Sequence, residues 1–448
     1  METTLSTGTK IFIAGLVVVA SVFGFWEYFT RMQGSLAAVH VSEKSEPEWV
    51  APYTPLANPS AAKYVAPPDR HIDLQLYDKA VLYLMDVQEA DGHFDSARAG
   101  AAPEFCNLNG DMACTALAAG VLMGASSGMS QNKDAVKCAK RAVKWMDSKL
   151  QPDGFIVDVQ APGEPVIAQL FATDTFRFAT SYSTRDDRRE LTNKLASAAL
   201  LKMKAKSGGY GPDANSDEPR SDVLGLAASV FKYATIDGYK FDAFATPIEK
   251  PKNGAISTVI EDDILANLRA GMKRLDAGVH PSGAIFAERV GGPANWHATV
   301  GGMEAMFLIN LSISSVRPAL DFVLGDLEKK TESFPLVAKQ IAWGEKGEGY
   351  QALTMWQGTI SIIYMFTDNK IQYKSWTDNV REILSKHQSP DGSWPVAGPD
   401  ARRGRVWRTT LNAMTLIMTA PPPPPPAPPP DNSPLAAPAP IPQDSKKK

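Results

Sequence analysis

Three aspartates stand at the beginnings of stretches that read as apolar helices: Asp111 in Asp111-Met112-Ala113-Cys114-Thr115-Ala116, Asp174 in Thr173-Asp174-Thr175, and Asp222 in Ser221-Asp222-Val223. A carboxyl in such a place has two chemistries. It can donate a proton to a substrate, if its surroundings hold its pKa near the working pH, or it can accept hydrogen bonds from the free N–H groups of the first helical turn. These three are the catalytic candidates, and capping is the competing role for each. The chain has no close Cys or His pair at metal-ligand spacing, so no metal is expected. No P-loop, dinucleotide fingerprint or nucleophile elbow is present, and no cofactor is expected.

The elements that carry these residues repeat. Gln388-Ser389-Pro390-Asp391-Gly392-Ser393-Trp394 reads as a tight turn after a helix: proline presets φ, Asp391 can bond its own backbone, and Gly392 accepts positive φ. The same chemistry returns at Gln88 to Gly92 and at Gln151 to Gly154. Turn glycines recur about every 60 residues, room for two helices and two short connections. In each unit a charged, amphipathic helix leads into the turn and an apolar, small-residue helix leaves it, as in Thr115-Ala116-Leu117-Ala118-Ala119-Gly120. A helix apolar all round belongs inside, and one with a charged stripe belongs at the surface. Six such pairs predict an all-α fold, an (α/α)6 toroid over residues 73–420 with six apolar helices within and six amphipathic ones around them.

The flanks differ in kind. Ile11 to Phe29 is nearly all apolar, about the length of a membrane-spanning helix, and reads as a single-pass signal anchor behind an N-terminal segment of residues 1–10; a cleaved signal peptide ending near Ala37 is the alternative. Residues 30–72, rich in Pro and Ala, read as a tether. Residues 421–448 form a Pro-rich tail, disordered or in polyproline II, that could dock a protein partner. This arrangement places the chain in a bacterial inner membrane with the toroid in the periplasm. A net charge of -3 supplies no basic field, so no nucleic-acid partner is expected. With three cysteines in 448 residues, Cys106 and Cys114 could pair in an oxidising compartment or stay reduced.

Gln388 to Trp394, after Ile383 and Leu384, resembles the QW motif of the squalene-cyclase and protein-prenyltransferase repeat family. The resemblance spans roughly Asp73 to Ala420 and is closest in the first, second and sixth units. It implies a toroid whose turn residues Gln88, Gly92, Gln151, Gly154, Gln388, Gly392 and Trp394 tie neighbouring repeats together. Trp296-His297-Ala298-Thr299 and Gly404 to Ala413 are similar to stretches of exported bacterial members without established chemistry. The family's cyclases protonate an alkene with an aspartate in a frame that Asp111 to Ala116 resembles, but Ala113 falls where that acid belongs.

Phe178, Trp296, His297, Trp356 and Trp407 fall on or beside the inner helices, where they could line the lumen and hold an apolar ligand, or pack as core. The reading that joins these features is a membrane-anchored binding or scaffold module without cyclase chemistry. The alternative is an enzyme on an isoprenoid or polyprenyl lipid whose acid has moved to Asp111, Asp174 or Asp222.

Overall fold

The computed structural model describes residues 56–125, 132–182, 187–236, 262–276, 286–292, 294–309, 319, 351–365, 370–396 and 398–420. The N-terminal segment 1–10, the anchor at 11–29, residues 30–55 of the tether, residues 322–330, where the first helix of the fifth pair is expected, and the tail at 421–448 lie outside these residues. Among the described residues the fold is all-helical, with eleven α-helices and only isolated bridges such as Arg220 to Arg289 in place of strands. None of these helices is long and apolar enough to cross a membrane.

The helices are α1 (Ile72–Val87), α2 (Leu108–Gly124), α3 (Ala135–Asp147), α4 (Pro165–Tyr182), α5 (Asp187–Lys202), α6 (Ser221–Ile236), α7 (Asp262–Leu275), α8 (Trp296–Leu308), α9 (Ala352–Met365), α10 (Lys370–His387) and α11 (Gly404–Thr419). Side chains start several of them. Asn107 accepts from the N–H groups of Asn109 and Gly110 at the head of α2, and Asn295 accepts from Ala298 at the head of α8. Composition then sorts them. From Met112 to Ala119 every residue of α2 is buried, whereas α3 buries Ala135, Cys138, Ala142, Trp145 and Met146 and leaves its lysines in water.

The apolar helices pack in a closed cycle: α2 on α4, α4 on α6, α6 on α8, α8 on α9, α9 on α11, and α11 back on α2. Around them α3 packs on α2, α5 on α4, α7 on α6 and α8, and α1 on α11. The last repeat therefore closes against the first.

The joints explain the closure. Gly392 has φ +87°, where a side chain is strained, and a Cβ there would overlap the Lys79 carbonyl of α1. Gln388 donates from Nε2 to the Gly392 carbonyl at 2.9 Å and to the Leu76 carbonyl of α1 at 2.8 Å, so one amide holds its own turn and the neighbouring repeat. Gln88 repeats this with Gly92 and with Cys138 of α3, at 2.8 and 2.9 Å. In the second unit the device is displaced. Gln169 of α4 donates to Gly154 and to Ala196 of α5, both at 3.1 Å, while Gln151 reaches only the Val157 carbonyl at 3.4 Å. Fully buried Trp394 pins the sixth turn to its own helix through Nε1 to the Leu384 carbonyl.

Charge completes the seam. Asp73 is fully buried on α1 and accepts from Arg381 of α10 at 2.5 and 3.0 Å. Residues 56–71, within the stretch read as a tether, are also held on α1: Ser60 bonds Asp86, and Tyr64 and Arg70 bond Asp78. The three cysteines are free thiols; Cys114 is buried, and Cys106 donates to the carbonyls of Ala101 and Ala102.

Candidate functional site

The heads of the inner helices gather at one end of the cycle, and there the chain carries a chain of ion pairs. Glu164 precedes Pro165, the first residue of α4; Arg220 precedes α6; Arg403 ends a 3-10 segment, Gly398–Arg403, and precedes α11. Glu164 accepts from Arg220 at 2.6 Å and from Arg403 at 2.8 and 2.9 Å. Arg220 in turn grips Asp222 at 2.7 and 2.9 Å, and Arg403 lies 3.6 Å from Asp400. In the cycle α11 and α4 flank α2, so the Arg403–Glu164 pair passes over the head of α2. Burial acts to raise the Glu164 pKa, but the two guanidinium charges and their hydrogen bonds outweigh it and hold the carboxyl at about 2. Asp213 nearby is pushed up, first by burial and then by the charge on Glu164. Burial also raises Asp400 against the pull of Arg408 and Arg403.

Glu164 holds φ +58°, a left-handed conformation that an ordinary side chain enters at a cost of about 1–2 kcal/mol. The following proline disfavours the right-handed helical alternative. Two arginines on one carboxylate then fix the residue where it is.

Beneath this strap is an aromatic layer. The Arg403 guanidinium lies 4.7 Å from the centre of the Trp407 ring. Trp407 meets Phe171 edge-on at 5.4 Å, and Phe171 meets Trp356 at 6.1 Å. Phe171 is on α4 and Trp356 on α9, three places apart in a cycle of six, so these rings meet across its axis.

A second polar cluster lies deeper, between α6, α8 and α9. Glu304 is 1% exposed and accepts from Gln357 Nε2 at 2.7 Å, while the same amide donates to the Asp222 carbonyl at 2.9 Å. Gly225 permits this approach: a Cβ there would stand 2.5 Å from Glu304 Oε2. Burial raises the Glu304 carboxyl to about 8, only partly offset by Gln357, so near neutral pH it is mostly protonated. His297, at the head of the same helix, is pushed down to about 4 by burial and meets Trp296 edge-on at 5.2 Å.

The candidate acids are dispersed. Asp111 accepts from the N–H and hydroxyl of Ser96 at 2.8 and 2.6 Å, which fastens the loop before α2. Asp174 pairs with Arg177 at 2.9 Å, and Arg177 covers the Phe178 ring at 4.4 Å. Asp222 belongs to the strap and also accepts from the Val223 N–H. Of the candidate lumen residues, Trp356 and Trp407 share the aromatic layer through Phe171; Trp296 and His297 pair on α8, and Phe178 pairs with Arg177. Among the described residues no three His, Cys, Asp or Glu converge as a metal site.

Sequence reasoning passed over Glu164, Arg220, Arg403 and Glu304. Two signals were present: Glu304 is the one formal charge in the apolar run Trp296–Leu308, and Arg402-Arg403-Gly404-Arg405 clusters charge just ahead of Trp407.

No protein-family model matches the chain, and no curated protein does. Among solved structures, a protein from Actinoplanes is similar over 78% of this chain and 99% of its own, with 14% identity and a TM-score of 0.42. A glycosidase is similar over 78% of this chain and 96% of its own at 13% identity and TM-score 0.44. A variant glycosidase in complex with glucose covers the same shares at 12% identity and TM-score 0.44.

Proposed function

We propose that the chain is an (α/α)6 toroid of six helical hairpins that works as a binding or scaffold module, held at the bacterial inner membrane by residues 11–29 and akin in its joints to the squalene-cyclase and prenyltransferase repeat proteins. One observation carries this reading: Asp111, Asp174 and Asp222 are each engaged by a neighbour within the fold. A carboxylate that fastens a loop or neutralises an arginine is a poor proton donor. Ala113, where the cyclase acid belongs by resemblance, has nothing to donate. An apolar ligand in the lumen would have to part the aromatic layer of Phe171, Trp356 and Trp407, which are 6, 7 and 2% exposed. The Pro-rich tail supports a protein partner.

A second reading, an enzyme acting on an isoprenoid or polyprenyl lipid, draws on Glu304, whose carboxyl stays mostly protonated near neutrality. Native mass spectrometry of the full-length protein, purified from membranes and sampled over hours, separates the two. Binding predicts a co-purified mass released unchanged on denaturation. A mass that converts with time, or no bound species at all, would sink the binding reading.

A further inference from the structure

We propose that Arg220 and Arg403 form an anion-binding site over the aromatic layer, that Glu164 occupies it as a tethered internal ligand, and that the external ligand is a molecule bearing one carboxylate, phosphate or sulfonate. This deepens the binding reading and rests on it.

The geometry is that of a bound anion. Two guanidinium groups from different repeats converge on one carboxylate with three contacts of 2.6 to 2.9 Å. Side chains of Arg220, Arg403 and Glu164 are only 9, 14 and 14% exposed, so the charges lie in a medium where an arginine left without an anion is costly. Glu164 reaches them from a left-handed backbone, a strained posture for a residue that merely ends a loop. The site also has an apolar floor. Arg403 rests on Trp407, Trp407 on Phe171, and Phe171 on Trp356. The rings themselves are buried, so what an external ligand can reach is the charged level, where its anionic head replaces the Glu164 carboxylate.

A tethered carboxylate competes at high effective concentration. Removing it therefore unmasks the site, and the gain in affinity for an anion measures how strongly the strap holds. Asp222 and Asp400 remain as partial partners of the two arginines, which keeps both ordered when Glu164 is gone.

The test uses naphthalene-1-sulfonate and its neutral isostere naphthalene-1-sulfonamide. Binding to the full-length protein in detergent is followed by calorimetry against detergent alone. Glu164→Gln should tighten the sulfonate at least tenfold and move the sulfonamide less than twofold. Glu164→Gly, which accepts φ +58° without strain, should match it and guards against a folding failure. Adding Arg403→Gln should abolish the gain. If the sulfonamide binds but the sulfonate gains nothing, or if both probes gain equally, the strap proposal is overturned while the lumen still binds apolar molecules. If neither probe binds any variant, the apolar-lumen reading falls and the strap proposal falls with it.

Discussion

The joints around the outside of the ring and the strap across its mouth solve the same problem, linking distant repeats, with opposite chemistry. A joint uses a neutral amide and two carbonyls: Gln388 to Leu76 and Gly392, Gln88 to Cys138 and Gly92. The strap uses buried charges on Glu164, Arg220 and Arg403. Neutral hydrogen bonds lose little on desolvation and are indifferent to pH, whereas buried ions lose much and respond to any competing ion. The joint is suited to permanence and the strap to exchange.

The largest expected effect comes from breaking a joint. Gly392→Ala places a methyl group against the Lys79 carbonyl and strains a φ of +87°, with no flexible side chain to yield. The expected loss is about 3–5 kcal/mol, at the upper end for single substitutions. Denaturant titration measures it, and a loss below about 1 kcal/mol would show that the sixth joint does not hold the ring.

The strap should break differently, through protons. The folded Glu164 carboxyl titrates at about 2 against an ordinary 4.5, so its contribution is complete above 4.5 and is lost as the pH falls through 2. Glu164→Gln removes that contribution at every pH. Wild type should exceed the variant by roughly 2–3 kcal/mol at pH 6, and the gap should narrow by about 1–2 kcal/mol at pH 3. A gap independent of pH would mean that Glu164 acts through packing and not through its charge.

These two regions also differ in how legible they are. A joint lies within a few residues: Gln388 and Gly392 are four apart, and the same spacing exposes Gln88 and Gly92. Local turn chemistry was enough to predict repeats, an all-helical fold, and which helices are apolar. In the second joint the turn stands where the spacing puts it, with Gly154 at φ +93° against Leu195 of α5, but the bridging amide is that of Gln169 on the inner helix, which reaches Gly154 and Ala196 and also accepts from the Ile156 N–H at 3.1 Å. The strap was invisible for the converse reason. Glu164 and Arg403 are 239 residues apart and meet only because the cycle closes. Glu304 stood out as a lone charge in an apolar helix, but its raised pKa comes from burial between α6 and α9, which Gly225 lets close on it and which outweighs the lowering by the Gln357 amide.

The smallest prediction tests whether glycine matters for its conformation or only for its size. Gly120 lies inside α2, where φ is not left-handed, and a Cβ built there meets no atom within 4 Å. Gly392 has the opposite surroundings. The same change to alanine should therefore reverse sign: Gly120→Ala removes backbone freedom from the unfolded chain without a clash and should stabilise the protein by about 0.5–1 kcal/mol. A shift of the denaturation midpoint to higher denaturant, with unchanged slope, is the expected result. A destabilisation would mean that the space beside Gly120 is not free in the folded protein.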